Sequence, residues 1–342
     1  MKRCLLLLLI ICLWTGTASA WSAERSYATI DELPPNVGPS FPASETFLYG
    51  YGNGKTIYAL LDMGTERRVR IYAETEDGYT QQSVSAPLPA WHGIAAGIDS
   101  SSDDCLYLSY GDRQYASVAR RQDGSWQLVL WCLYDTEPDT YLTFTPNALH
   151  VTLLDNTQNQ TSSLYGDLQM PLAFEKLDVS LFPATAQEAA ALMDTEGWAV
   201  VRTPSADLEL PLFTEPREGM VTAFRYYTGA PVQVLNEENG WTRVKIGSMA
   251  GWMPSSELVL GADMLQVQRV FPYLLLLDSA FSSHACVYEE PSTSAQKVTT
   301  LQETDDDSWT VIGLSTDGWY CVKNRDGCIG FMEQVWFGSG NG

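Results

Sequence analysis

The chain has 342 residues, and its 42 acidic side chains against 20 basic ones give a formal net charge of −22. That balance excludes nucleic acid as a partner, because gripping a phosphate backbone takes clustered Lys and Arg, and it acts equally against anionic lipid surfaces and teichoic acids. Hydrophobic residues at 45% and aromatics at 11% exclude wholesale disorder and set the expectation of two or three packed domains.

Residues 1–20 open with Lys2-Arg3, continue as an apolar run from Cys4 to Trp14, and close on Thr15-Gly16-Thr17-Ala18-Ser19-Ala20. A basic start, a short apolar core and a small-x-small end predict a secretory signal peptide, cleaved after Ala20. The run falls short of the roughly 20 residues needed to cross a bilayer, so the mature chain is expected to be secreted or envelope-associated without inserting into the membrane. Ile11 precedes Cys12 where lipid attachment needs Gly, Ala or Ser, which argues against a lipid anchor. Residues 21–43, with Pro34-Pro35, read as an extended lead-in.

From 44 to 183 the chain reads as a repetitive β domain. Ile57-Tyr58-Ala59-Leu60-Leu61-Asp62, Leu106-Tyr107-Leu108-Ser109-Tyr110 and His150-Val151-Thr152-Leu153-Leu154-Asp155 follow one another at about 49 and 44 residues. Asp77-Gly78 and Asp123-Gly124 mark tight turns, and Val69-Arg70-Ile71-Tyr72 and Trp126-Gln127-Leu128-Val129-Leu130 alternate as strands with one buried face. A period of 40–50 residues holding about four strands predicts a blade-like domain, propeller-like first, with an open stack or a sandwich as the alternatives. Residues 184–196 read as a helical linker, where Thr185 and Glu188 have capping-box spacing.

The tail repeats itself at about 78 residues. Leu212-Phe213-Thr214-Glu215-Pro216, Pro231-Val232-Gln233-Val234-Leu235, Gly240-Trp241-Thr242-Arg243-Val244-Lys245 and Ala250-Gly251-Trp252-Met253 come first. Val287-Tyr288-Glu289-Glu290-Pro291, Trp309-Thr310-Val311-Ile312, Gly318-Trp319-Tyr320-Cys321-Val322-Lys323 and Ile329-Gly330-Phe331-Met332 answer them in the same order. Asn239-Gly240 and Asp317-Gly318 suit hairpin turns, and Gly251 and Gly330 suit a bulge or a close backbone approach. Four landmarks in one order predict a duplicated small barrel, at 197–261 and 262–342.

At these residues both segments resemble bacterial SH3 domains of exported and wall-associated proteins, and Trp198-Ala199-Val200-Val201 resembles a variant with an extra leading strand. The second copy departs in Asp305-Asp306-Asp307, Cys321 and Cys328, which puts a shared ligand in doubt. The resemblance implies contact with cell-wall peptides or with another envelope protein. Trp241, Trp252 and Trp319 are candidate ligand-binding residues whose competing reading is barrel core. Tyr226, Tyr227, Asn239 and Tyr288, near predicted turns, are candidates for an exposed binding face, where acidic and aromatic side chains would suit cationic peptide ends.

Such exported proteins often also carry an NlpC-type cysteine peptidase, which directs attention to Asp104-Cys105 and His150. In that family the cysteine opens a helix and a small residue follows; here Leu106-Tyr107-Leu108 follows on a strand pattern. Cys105 and His150 are therefore read as strand residues, and no catalytic residue is assigned. The acidic run Glu303-Thr304-Asp305-Asp306-Asp307 lacks the alternating oxygen ligands and closing glutamate of a calcium loop. No cysteine pair has zinc-site spacing, so no metal or cofactor is expected. Cys321 and Cys328 flank the Asn324-Arg325-Asp326-Gly327 turn and are placed to meet across a hairpin, bonded or not.

The sequence thus predicts an all-β, acidic, exported binding protein that is not an enzyme: a blade-like β domain followed by two SH3-like barrels. The alternative is a cell-wall hydrolase whose catalytic domain lies in the N-terminal half.

Overall fold

The computed structural model describes residues 25–34, 36–37, 41, 44–52, 55–88, 93–98, 104–110, 114–136, 139–153, 160–205, 208–269, 285–300, 309–324 and 327–334. The segment 1–20 expected to be a signal peptide, the acidic run at 303–307, His92, His284, Arg325 and Asp326 lie outside them. The described residues form two compact units. One takes those of Ser19–Pro146 and Gln169–Leu192, the other those of Asn147–Leu168 and Met193–Gly342. The hairpin after Asn147, expected to belong with the N-terminal repeats, is therefore grouped with the tail.

The first unit consists of antiparallel meanders. Strands β1 (Arg25–Tyr27), β2 (Thr46–Gly52), β3 (Thr56–Asp62), β4 (Arg67–Thr75) and β5 (Gly78–Val84) pair in chain order as one sheet. Strands β6 (Gly93–Ile98), β7 (Asp104–Tyr110), β8 (Gln114–Arg120), β9 (Trp126–Thr136) and β10 (Asp139–Thr145) pair consecutively in turn. The two meanders meet where Tyr58 of β3 stands edge-on to Trp126 of β9, with ring centroids 5.8 Å apart. Among the geometries the repeats allowed, these are two packed sheets rather than a ring of blades. The lead-in is not simply extended: β1 pairs with β2, and Tyr27, Leu33 and Val37 are buried with Ile57, Ala59 and Tyr72. Helix α1 (Ala186–Ala191) forms where expected; Thr185 Oγ1 accepts from the Glu188 amide at 3.2 Å, while the Glu188 carboxylate accepts from Ala184 N.

The second unit begins with the hairpin of β11 (Ala148–Leu153) and β12 (Gln160–Tyr165), then β13 (Asp167–Leu168) pairs with β14 (Met193–Asp194). A first module follows as β15 (Trp198–Val201), β16 (Leu210–Phe213), β17 (Val221–Tyr226), β18 (Pro231–Glu238), β19 (Trp241–Ile246), β20 (Met249–Pro254) and β21 (Leu258–Leu260). A second comprises β22 (Cys286–Tyr288), β23 (Lys297–Thr300), β24 (Trp309–Ser315), β25 (Trp319–Asn324) and β26 (Ile329–Glu333). The leading strand β15 pairs with both β18 and β21.

These strands are not two closed barrels. They form one open twelve-stranded antiparallel sheet in the order β21-β15-β18-β19-β20-β16-β17-β24-β25-β26-β22-β23. The reason lies at β17, whose free edge pairs with β24 through Phe224↔Ser315, Arg225↔Leu314 and Tyr226↔Gly313. The hydrogen-bonding groups that a barrel would use to close on itself are satisfied by the neighbouring module instead. Gly313 permits the approach, since a Cβ there would lie 2.6 Å from Tyr226 Cδ1 and 2.7 Å from the Arg225 carbonyl oxygen.

Asn239-Gly240 makes the predicted tight turn, with φ of 52° and 81°, and Gly318 has φ of 85°. Cys321 does not meet Cys328. Cys321 is fully buried opposite Phe331, whereas Cys328 is exposed, and neither is in a disulfide. Burial pushes the Cys321 thiol far above its ordinary range, away from the reactive thiolate. A thiol-specific reagent on the native protein is thus expected to label Cys328 alone among the five cysteines of the described residues. Cys105, Cys132, Cys286 and Cys321 should become reactive only on unfolding, as read by mass spectrometry; early labelling of Cys321 would contradict its placement.

Candidate functional site

The outward face of the first module gathers the candidate side chains. On β19 the even positions Thr242, Val244 and Ile246 are buried, while Trp241, Arg243 and Lys245 look outward. Residues directly opposed on antiparallel strands share a face, with Cβ atoms about 4.5–5.5 Å apart. The register Asn236↔Arg243↔Trp252↔Phe213↔Val221 therefore lays one transverse row across five strands. Beside it run Gln233↔Lys245↔Ala250 and Glu238↔Trp241↔Pro254. Phe213 and Trp241 meet edge to face at 5.0 Å. All three large rings here, Phe213, Trp241 and Trp252, are half-buried, and Met220 and Val221 beside them are 66% and 44% exposed. Asn239, at the adjoining hairpin tip, is exposed.

The second module repeats this arrangement position by position. Cys321↔Phe331↔Tyr288 matches Arg243↔Trp252↔Phe213, Lys323↔Ile329 matches Lys245↔Ala250, and Trp319↔Glu333 matches Trp241↔Pro254. Tyr288 and Trp319 meet edge to face at 5.9 Å, as Phe213 and Trp241 do. The two glycines agree as well. A Cβ on Gly251 would strike Leu212 Cγ and the Phe213 carbonyl oxygen, and one on Gly330 would strike Val287 Cγ1 and the Tyr288 carbonyl oxygen.

The surroundings of the two faces are opposite. Phe331 is fully buried, 5.3 Å from the Phe224 ring, in a cluster that also holds Tyr226, Ile312 and Cys321. The β19–β20 turn sits on Ile329 and Phe331 at Gly247. Lys323 is 4% exposed, its Nζ donating to the Asn324 carbonyl oxygen and lying 5.4 Å from the ring of Tyr165 on β12. The second module's outward face is thus covered by the chain itself, while its inner face has a core of its own in Ala285, Val287, Trp309, Val311, Val322 and Met332.

This corrects the division of candidates. Tyr226 is fully buried and Tyr288 is 7% exposed, so neither offers a binding surface. Tyr226 lies on the inward side of β17 against the second module, and desolvation holds its phenol protonated. Trp241 and Trp252 are half-buried surface rings rather than core, whereas Trp319, also half-buried, packs against the core cluster. Tyr227 is half-buried too, packed against the second module's core with Tyr320; its phenol is pushed up to about 12 by burial and the neighbouring Glu209. The structure brings Trp241, Trp252 and Asn239 to one face; Tyr227 and Trp319 stand outside it. Sequence reasoning missed Phe213, Arg243 and Lys245, although the period-2 run Trp241, Arg243, Lys245 carried the signal.

Upstream, Cys105 lies on β7, buried, with its sulfur 2.8 Å from Ser117 Oγ. His150 lies on β11 with Nδ1 2.8 Å from Ser163 Oγ. Both are strand residues, and neither stands at a helix start. Among the described residues no cluster of His, Cys, Asp and Glu could hold a metal ion, and no helix is long and apolar enough to cross a membrane.

Comparison with known families places a bacterial SH3 domain at residues 206–259, which takes in β16 to β20 and the row described above. No curated protein matches the chain. Among solved structures, NlpC2 from Trichomonas vaginalis is similar at 18% identity and a TM-score of 0.20, covering 42% of this chain and 48% of that one. At that score the likeness carries no argument, and the chain spans about half of that structure's length.

Proposed function

We propose that this is an exported, non-catalytic binding protein whose first module holds a cell-wall peptide or another envelope protein on its outward face. We read the second module as a further SH3-like domain that has become a structural support. The observation that carries the proposal is the row of half-buried rings, Phe213, Trp241 and Trp252, bordered by exposed Met220 and Val221. Aromatic side chains left half in water on a bacterial SH3 domain are the kind that dominate recognition surfaces. Export is supported by the basic, apolar and small-residue segments of 1–20, and the bacterial SH3 domain is one often found contacting cell walls.

The mature chain is expected to sediment with purified sacculi, and Trp252→Ala to reduce the retained fraction by about tenfold or more. Retention unaffected by Trp252→Ala, or no retention at all, overturns the proposal. Soluble fragments released from the sacculi would instead identify a hydrolase.

A further inference from the structure

We propose that the outward face of the first module recognises a short extended peptide through its carboxylates, with Arg243, Arg225 and Lys245 as the reading cations. This deepens the binding proposal above and rests on it.

The argument begins with charge. The chain has 42 acidic residues for 20 basic ones, so three cations gathered on one face go against its composition. Arg225, Arg243 and Lys245 are all exposed, and among the described residues none of them forms an ion pair, whereas Arg68, Arg70 and Arg217 each do. Their opposed neighbours are Pro211 and Leu314 for Arg225, Asn236 and Trp252 for Arg243, and Gln233 and Ala250 for Lys245, without a carboxylate among them. The nearest acid in the register is Glu238, in the Trp241 row. A surface that presents planar guanidinium forks beside apolar rings, and does not neutralise them internally, is complementary to a ligand with carboxylates on an apolar frame.

Geometry sets the ligand's size. Arg243 on β19 and Arg225 on β17 are separated by β20 and β16, three strand spacings across the sheet, and Arg225 is offset along the strand because it faces Pro211 rather than Phe213, so the two lie roughly 16 Å apart on a diagonal past Trp252 and Phe213. An extended peptide covers that distance in about four to five residues. The occupant is therefore a peptide carrying two carboxylates that far apart, its apolar middle lying on the Trp252 and Phe213 rings.

The duplication supplies an internal contrast. In the second module Cys321 stands where Arg243 does, and Lys323, the counterpart of Lys245, is buried beneath Tyr165. Where the chain covers the face, the position of Arg243 holds a cysteine; where the face is open, it holds the cation.

The test is calorimetric titration of the mature chain with two synthetic tetrapeptides, acetyl-Glu-Ala-Ala-Ala with a free C-terminus and acetyl-Gln-Ala-Ala-Ala amide. The acidic peptide is expected to bind at least tenfold more tightly. Arg243→Glu should abolish that preference and Arg243→Gln reduce it, with unchanged circular dichroism in each because the side chain is exposed. Equal binding of the two peptides, binding of neither, or a preference that survives Arg243→Glu overturns the inference. If sacculi are nonetheless retained in a Trp252-dependent way, the binding proposal stands and only the carboxylate reading fails.

Discussion

Replacing Phe331 with Ala is expected to destabilise the second unit by about 3–5 kcal/mol, the usual cost of deleting a fully buried aromatic ring. Phe331 is fully buried and packs edge-on to Phe224 of the first module, in one cluster with Tyr226, Ile312 and Cys321. Its loss leaves a cavity between two modules that are also held by the β17–β24 pairing and by Tyr226 and Tyr227, so the relaxation that softens such losses is limited on both sides. Phe331→Trp, which restores the ring type of Trp252 in the first module, overfills the same space and is expected to cost about 1–3 kcal/mol. Urea unfolding of the protein reads both. An unchanged midpoint for Phe331→Ala would mean that the second module's outward face is open, and the contrast between the two faces would collapse with it.

The second large effect is steric. A methyl group at Gly251 would lie 2.6 Å from Leu212 Cγ and 2.7 Å from the Phe213 carbonyl oxygen, and the equivalent group at Gly330 would lie 3.0 Å from the Tyr288 carbonyl oxygen with Val287 closer still. Backbone carbonyls in a paired strand cannot move aside as the tip of a long side chain can. Gly251→Ala and Gly330→Ala are each expected to lower stability by about 1–3 kcal/mol. Ordinarily, Gly→Ala at an unstrained site stabilises by restricting the unfolded chain, so the sign alone is informative. Gly251→Ala should also weaken retention on sacculi, because the displaced Phe213 carbonyl belongs to the row that carries Trp252. A rise in midpoint for either variant would show that the strands do not approach as described.

Much of this architecture was legible in the order of residues. Gly251 and Gly330, inside strand-like runs, suit either a bulge or a close backbone approach, and each faces a carbonyl of a neighbouring strand. Thr185 and Glu188 announced α1, and Asn239-Gly240 announced a hairpin whose two residues both take positive φ. These signals are local: each depends on the conformations open to one or two residues. The site was less legible. Tyr226 and Tyr288 looked accessible because predicted turns lay nearby, yet turn proximity says nothing about what another part of the chain lays over a face. Trp241 and Trp252 carried two readings, ligand-binding or core, and the alternation with Arg243 and Lys245 already favoured the polar side of the strand.

By itself, then, the sequence determined the all-β character, several of the places where the chain turns, and the order of landmarks that the strands of the tail follow. Only the tertiary structure decided that the two copies share one open sheet, that β17 and β24 occupy the edges a barrel would have closed, and that one copy's outward face is covered while the other's is left to solvent. The physical reason is that strand alternation assigns a side chain to a face from its neighbours alone. Whether that face meets water or protein depends on segments far apart in the chain, such as Phe224 over Phe331 and Tyr165 over Lys323, and no local pattern encodes those meetings.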